Sequence, residues 1–245
     1  MSAGRVPGPR PSASQVLGQG VVIWAVYLVA RTLLLRAIPS VSWATYNLQE
    51  DALTAARLTC AGLTWAVARR RWSLALLGWH GQHAALVAGV GMVLIAGDVV
   101  LGWRTPFQSS MTVNIRIQEV LHATAPALNE EISFRGLMYT AIAELAGPGA
   151  AVTISTGLFT AIHFGYQRSW NAYPGMVLVG LAFAVLRRRG ASLGWLILMH
   201  FAIDATWFGY GFRLGYGGPA YLYASWVIKT LGVLIAWRWP LMRRS

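Results

Sequence analysis

The chain has 245 residues, of which 56% are hydrophobic and only 11% are charged. A soluble domain carries about 25% charged residues, so this composition excludes an ordinary soluble domain and indicates a polytopic membrane protein. The net charge of +12 would suggest a nucleic-acid partner in a soluble protein. Here the basic residues cluster in short segments between apolar runs, as they do in membrane proteins. We therefore expect contact with the lipid bilayer and none with nucleic acid.

Eight apolar segments follow one another along the chain. A membrane helix needs about 20 mostly apolar residues, so these segments predict an all-α polytopic membrane protein with about eight transmembrane helices in one bundle. The stretch 72–83 is too short to span and is interpreted as an interfacial loop anchored by tryptophans. The predicted helices cover residues 18–38, 52–68, 84–102, 117–144, 149–166, 173–186, 191–209 and 220–238.

Residues 1–15 differ from the rest of the chain in being rich in Pro, Ser and Gly. That composition is typical of a disordered arm, and residues 16–245 are predicted to form a single transmembrane domain. Cys60 is the only cysteine, so an intramolecular disulfide is excluded. Arginine outnumbers lysine 19 to 1, a bias that favours a bacterial source with a GC-rich genome.

The distribution of arginines predicts the orientation in the membrane. With the N-terminus inside and eight spans, eleven arginines fall in cytoplasmic segments and four in outer loops. Cytoplasmic loops carry the excess of basic residues, so we predict a multi-pass protein of the cell (inner) membrane with both termini cytoplasmic. Four further basic residues lie within or near the ends of spans and are interpreted as snorkelling side chains without a role: Arg31, Arg36, Arg57 and Lys229. The cytoplasmic set is Arg5, Arg10, Arg69, Arg70, Arg71, Arg187, Arg188, Arg189, Arg238, Arg243 and Arg244, and the outer set is Arg104, Arg116, Arg168 and Arg213.

The fourth predicted helix contains two adjacent acidic residues, Glu130 and Glu131, followed by Arg135. A charge at bilayer depth costs at least about 2.5–3.5 kcal/mol on insertion scales and by default marks a functional site. Glu131 and Arg135 are i,i+4 neighbours on one helix face, whereas Glu130 points about 100° away. This spacing predicts that Arg135 holds Glu131 and that Glu130 is left to react.

Two further helices carry histidines at helical spacing. Phe159 and His163 are i,i+4 neighbours in the fifth predicted helix, and His200 and Asp204 are i,i+4 neighbours in the seventh. Each motif alone is common in structural roles. Their combination is informative, because five of the thirteen acidic and histidine residues of the chain fall in these three motifs.

The three motifs together resemble the CPBP family, which comprises CAAX prenyl proteases and bacteriocin-processing enzymes and is also called the Abi family. The family pattern is Glu-Glu-x-x-x-Arg, then Phe-x-x-x-His, then His-x-x-x-Asn or Asp, and the resemblance covers about residues 117–209. It implies a glutamate-type intramembrane protease in which some residues react and others support the site. The reacting residues would be Glu130 and His163, which activate water, and His200 with Asp204, which stabilise the oxyanion. The supporting residues would be Glu131, Arg135 and Phe159, and we add Asn129 because it precedes Glu130.

Elementary chemistry agrees with most of these roles. Peptide hydrolysis needs a base for water and a donor for the developing oxyanion. Position 204 is less simple, because an ionised aspartate only accepts hydrogen bonds. Either Asp204 is protonated, or it orients His200 by accepting the N–H of its ring; we favour orientation.

The pattern also leaves alternatives open. Glu130, His163 and His200 could form a His₂Glu zinc set, but no His-Glu-x-x-His motif is present and the resemblance implies a site without cofactors. A non-catalytic immunity or chaperone-type protein and, less favoured, a proton-coupled transporter are the alternative functions. For a protease, the expected partner is a membrane-anchored or membrane-inserted protein or peptide. The family offers prenylated tails, bacteriocin leaders and sorting tails of surface proteins, and the sequence does not select among them or fix the membrane face of the site.

Overall fold

The protein was analysed as a computed structural model that describes residues 10–40, 42–79, 83–102, 112–164, 170, 173–210 and 218–238. Within these ranges the chain is helical and contains no strand, which confirms the predicted all-α class. The helices are α1 Ala13–Ala37, α2 Trp43–Arg69, α3 Ala84–Gly102, α4 Val113–His122, α5 Thr124–Glu130, a π-helix Glu131–Met138, α6 Tyr139–Ala161, α7 Tyr173–Arg188, α8 Leu193–Tyr210 and α9 Gly218–Arg238.

Two helical runs of the described chain, Ala13–Ala37 and Val113–Ala161, are long and apolar enough to cross a membrane, and shorter apolar helices cover Ala84–Gly97 and Leu193–Trp207. The predicted segments coincide with helices, but the number of eight spans stays a prediction. In α2, Glu50 and Arg57 interrupt the apolar sequence, and both line an internal cavity described below.

Helix α1 begins earlier than the boundary of the predicted arm at residue 15. Ser12 caps it, since the Ser12 side chain accepts a hydrogen bond from the Gln15 N–H and the Gln15 side chain accepts one from the Ser12 N–H. This reciprocal capping box satisfies two backbone donors at the helix start. Residues 1–9 of the predicted arm lie outside the described part of the chain.

The run Val113–Ala161 is not one straight helix. Gly147 has φ 86° and ψ 164° in the middle of α6 and is followed by Pro148. A positive φ is tolerated by glycine because it lacks a Cβ atom, and proline cannot donate the helical hydrogen bond. The chain therefore kinks here, between the predicted spans 117–144 and 149–166.

One end of the bundle collects arginines from several helices, and we call it the arginine-rich end (residues 69–71, 187–189 and 238). Arg71 forms an ion pair with Glu144, and its Nη1 donates to the carbonyl of Pro11. Arg187 Nη2 donates to the carbonyl of Leu76. Arg189 Nε donates to the carbonyl of Ala236, near the end of α9. These contacts place the start of α1 and the ends of α2, α7 and α9 together.

The opposite end, which we call the distal end, joins the end of α1 to the first part of α2, and the first part of α2 to the end of α4. Gln49 Nε2 donates to the carbonyl of Ile38, and His122 Nε2 lies 3.1 Å from Asp51 Oδ1. Between the two ends, the core is packed with fully buried side chains from the π-helix, α7 and α8, among them Phe134, Phe183 and Leu196.

Candidate active site

The π-helix Glu131–Met138 forms the centre of the site, and all eight of its residues are buried. A π-helix shifts the backbone bond from i→i+4 to i→i+5, as in the bond from the Tyr139 N–H to the Phe134 carbonyl. Such segments are frequent at functional sites because they re-aim side chains within a helix. The sequence pattern predicted a regular helix here and gave no sign of the π-helical geometry.

Glu131 and Arg135 form an ion pair in which Arg135 Nη1 donates to Glu131 Oε1 over 3.0 Å. Neither side chain has any exposed surface. Arg135 Nη2 also donates to the carbonyl of Gly180 on α7 over 3.1 Å. The guanidinium lies over the rings of Phe159 and Phe183, with its carbon 4.4 Å and 5.1 Å from the ring centroids. The structure thus contains the Glu131–Arg135 pairing and a contact of Arg135 with Phe159, and the supporting roles of these residues stay predictions.

Glu131 also holds His200 on α8. The Nδ1 atom of His200 lies 2.8 Å from Glu131 Oε1, and because an ionised carboxylate only accepts, Nδ1 is the donor. A single carboxylate oxygen, Glu131 Oε1, therefore binds both Arg135 within the π-helix and His200 on α8. Spacing along one helix could not reveal this contact, since Glu131 and His200 are 69 residues apart.

The second nitrogen of the His200 ring is close to two further carboxylates. Nε2 lies 3.5 Å from Asp204 Oδ2 and 3.8 Å from Glu130 Oε2. Both distances exceed the usual 2.7–3.2 Å of an N–H···O hydrogen bond. The closest carboxylate to the ring is therefore Glu131 on Nδ1, so the contact that fixes its orientation is one that the sequence analysis did not anticipate. Asp204 is the nearer of these two carboxylates to Nε2. Its predicted role, to orient His200 by accepting the N–H of the ring, would therefore act at Nε2 and stays a prediction.

Glu130 has a different environment from its neighbour Glu131. Its side chain is 13% exposed, and within the described part of the chain its buried Oε2 atom has no hydrogen-bond partner. A buried polar atom without a partner is costly, and such an atom at the wall of a cavity is available to a bound water or substrate. Glu131 is thus held by Arg135 and Glu130 Oε2 is not, and the reactivity of Glu130 stays a prediction.

His163 follows the last turn of α6, and its Nδ1 lies 2.8 Å from the carbonyl of Phe159. A carbonyl oxygen only accepts, so Nδ1 carries the proton. In the neutral imidazole the lone pair is then on Nε2, which gives His163 a proton acceptor on the other side of its ring.

Glu130, His163, His200 and Asp204 line one cavity of about 390 Å³. Asn129 is buried beside them in sequence but is not among the lining residues, so its predicted supporting role has no contact that favours it. The whole lining comprises Tyr46, Glu50, Arg57, Glu119, His122, Pro126, Glu130, Phe159, His163, Met176, Val179, Phe183, His200, Ile203, Asp204, Trp207 and Lys229.

Arg57 and Lys229, interpreted from the sequence as snorkelling side chains, both belong to this lining. Arg57 Nη1 lies 3.3 Å from Glu50 Oε2. Lys229 is buried, its Nζ donates to Ser225 Oγ over 2.6 Å, and the ammonium lies 5.9 Å from the ring centroid of Trp207. The snorkelling interpretation was therefore wrong for Lys229, because tertiary packing turns it toward the cavity.

The described residues contain no group of three or more His, Cys, Asp or Glu side chains arranged to hold a metal ion. The zinc set considered from the sequence, Glu130, His163 and His200, is not such a group among the described residues, and the zinc alternative stays untested. Whether the protein works without a cofactor stays a prediction for experiment.

The fold and the site together define an all-helical protein in which acid and imidazole groups line an internal cavity. Residues 113–206 match the model of the Rce1-like family, described as type II CAAX prenyl endopeptidase Rce1-like. The matched segment contains every predicted site residue, and it confirms the resemblance to the CPBP and CAAX protease family drawn from the three motifs. The family is a membrane-embedded protease family. No curated protein matches the chain.

Proposed function

We propose that this protein is an intramembrane endopeptidase that hydrolyses a peptide bond in a membrane-associated protein or peptide. The observation that carries the proposal is the cavity that Glu130, His163, His200 and Asp204 line together. A cavity of about 390 Å³ lies within the range of about 300–1,000 Å³ of small-molecule sites, so it has room for a short extended segment of substrate and one water molecule.

The reaction begins with a water molecule beside Glu130. The Glu130 carboxylate takes a proton from this water, with His163 Nε2 as a second acceptor, and the water oxygen attacks the carbonyl carbon of the substrate. Positioned bases of this kind typically contribute about 10²–10⁴-fold to a rate. The unpartnered Oε2 of Glu130 supports this assignment.

Attack converts the carbonyl oxygen into an oxyanion, which needs a fixed donor. His200 can supply it from Nε2–H when its ring is protonated, because Nδ1 is already bound to Glu131. Fixed donors in a water-poor site cost no reorganisation during the reaction. Collapse of the intermediate breaks the C–N bond, and the leaving amine takes the proton held by Glu130.

Asp204 would keep the Nε2 proton in place before substrate arrives, in line with the 3.5 Å separation of Asp204 Oδ2 and His200 Nε2. The substitution Asp204→Asn separates this role from direct oxyanion binding. An amide offers an N–H of its own, so we expect Asp204→Asn to hydrolyse substrate and Asp204→Ala to be slower. Loss of hydrolysis in Asp204→Asn would instead mean that the carboxylate is required.

The decisive experiment first identifies a substrate and then measures its cleavage. Glu130→Gln protein is expressed in the native host, and the proteins that co-purify with it are identified. Cleavage of the captured segment is then followed in liposomes with wild-type protein, His163→Ala and His200→Ala. His83→Ala is the matched control, because His83 is a described histidine that does not line the cavity. We expect hydrolysis by the wild type and His83→Ala, and its loss in the other two.

Two outcomes would change the proposal. Wild-type rates in both His163→Ala and His200→Ala would overturn it and favour the immunity or chaperone-type function, or transport. Loss of wild-type activity with a chelator, restored by zinc, would replace the metal-free mechanism by a metal-dependent one.

A further inference from the structure

We propose that the active-site cavity opens toward the distal end of the bundle and therefore to the non-cytoplasmic face of the membrane. The inference rests on the proposed function, because it states from which side of the membrane a substrate reaches the reacting groups. It would select segments displayed outside the cell, such as the sorting tails of surface proteins, over segments of cytoplasmic proteins.

The first observation is where the lining residues lie along their helices. In α2 (Trp43–Arg69) the lining residues are Tyr46 and Glu50, in the half nearer the distal end, and Arg57, at the middle of the helix. In α8 (Leu193–Tyr210) the lining begins at His200, seven residues from the helix start, or about 10 Å at 1.5 Å per residue. The cavity therefore leaves the arginine-rich part of both helices untouched.

Helices α7 and α4 show the same asymmetry, whereas Lys229 lines the cavity from the middle of α9. In α7 (Tyr173–Arg188) the lining residues are Met176, Val179 and Phe183, which lie in the part of the helix before the arginines. Glu119 and His122 on α4 line the cavity at the distal end, where His122 also contacts Asp51. The cavity thus extends from Glu130 and His200 to the polar groups of the distal end.

The second observation is what closes the cavity on the opposite side. Glu131 and Arg135 lie beneath His200, and both are fully buried. Leu137, Leu186 and Leu193 have no exposed surface and fill the space toward the arginine-rich end. Arg187 Nε adds a bond to the carbonyl of Arg135. Packed apolar side chains and the buried Glu131–Arg135 ion pair occupy this side and leave no path for a peptide.

The third observation is the charge of the two ends. Among the described residues, the arginine-rich end holds Arg10, both arginine triplets and Arg238, with Glu144 as its acid. The distal end holds the acids Glu50, Asp51 and Glu119 together with Arg36 in the last turn of α1 and Arg116 on α4, so it has no excess of basic residues. Because cytoplasmic segments carry the excess of Lys and Arg, the arginine-rich end faces the cytoplasm. The open side of the cavity then faces outward.

Cysteine labelling tests the orientation without any assay of proteolysis. In a Cys60→Ala background, Asp51→Cys marks the distal end and Arg70→Cys marks the arginine-rich end; both positions are exposed and charged. Met176→Cys reports on the cavity, and Met138→Cys is its matched control in the core, 3% exposed. A membrane-impermeant thiol reagent is added to right-side-out and to inverted vesicles. Val179→Cys replaces Met176→Cys if the latter does not fold.

We expect Asp51→Cys and Met176→Cys to be labelled in right-side-out vesicles only, Arg70→Cys in inverted vesicles only, and Met138→Cys in neither. Labelling of Met176→Cys from the same side as Arg70→Cys would overturn the proposal. Labelling of Asp51→Cys only in inverted vesicles would overturn it too. Protection of Met176→Cys and Val179→Cys from both sides, with labelling in detergent, would mean that the cavity is closed to water and would also contradict it.

Adding the captured substrate segment to the same vesicles separates this inference from the proposed function. The expected labelling without hydrolysis on either side would support the orientation and refute the protease. Hydrolysis in inverted vesicles only, with labelling to match, would support the protease and refute the orientation.

Discussion

Two Glu–Arg pairs in this protein have the same chemistry and opposite surroundings. Glu131 and Arg135 have no exposed side-chain surface, whereas Arg71 and Glu144 are 24% and 41% exposed. Water can replace either partner of the exposed pair, so exposed pairs contribute little to stability. A buried charge has no such replacement, and removing its partner is strongly destabilising. The comparison shows why the first pair can fix the position of His200, whereas the second pair only joins helix ends.

The largest effect is expected at Glu130, next to the buried pair but outside it. Glu130→Gln should reduce hydrolysis by about 10²–10⁴-fold, the typical contribution of a positioned base, with an unchanged melting temperature. The reason is that Glu130 Oε2 forms no hydrogen bond that the fold would lose. Cleavage rates and thermal melting in detergent measure the two effects. A large drop in melting temperature would show that Glu130 is structural like Glu131.

Arg135→Met should lower both stability and activity. Removing one partner of a buried pair costs about 3–5 kcal/mol, and Arg135 also binds the carbonyl of Gly180. Arg71→Met is the matched control at the exposed pair, and we expect it to melt close to the wild type. Equal losses of stability in Arg135→Met and Arg71→Met would contradict the proposed difference between the buried and the exposed pair.

Gly180→Ala should disturb the support of the buried pair through packing. A Cβ atom at Gly180 would lie 2.8 Å from Phe159 Cδ1, whereas one at Gly157 meets no atom within 4 Å. Overpacking of a core costs about 1–3 kcal/mol, so Gly180→Ala should melt lower than the wild type. Gly157→Ala should melt at the same temperature or higher, since alanine is favoured over glycine inside helices by about 0.5–1 kcal/mol. A stable Gly180→Ala would mean that Phe159 can move away.

The smallest effect is expected from salt at the exposed pair. Glu144→Gln removes the acceptor of Arg71 and of Trp72 Nε1. The difference in melting temperature between Glu144→Gln and the wild type should shrink in roughly 1 M salt, where the screening length is about 3 Å. The corresponding difference for Arg135→Met should persist. Salt sensitivity of the buried variant would indicate that water reaches Glu131.

The helices themselves were largely predictable from the sequence, because long apolar runs leave few alternatives. The break near residue 147 was also readable, since Gly147 and Pro148 together disfavour a straight helix. The sequence did not predict the π-helix, which replaces one set of backbone bonds by another within a helical segment. No residue of Glu131–Met138 is incompatible with an ordinary α-helix.

The candidate site was predicted in part. Glu130, His163, His200 and Asp204 were selected from spacing and resemblance, and they line one cavity. The bond from His200 to Glu131 and the cavity position of Lys229 were not predicted. Both depend on contacts between helices distant in sequence, which periodicity within one helix does not encode.

By itself, the sequence determined the helical class, the resemblance to a protease family and the choice of acids and histidines, because composition and i,i+4 spacing are properties of local segments. Only the tertiary structure decided that Glu131 binds His200 as well as Arg135, and that the cavity extends toward the distal end. Those features arise from helix packing, where the need to satisfy each buried charge selects one partner among groups far apart in the chain.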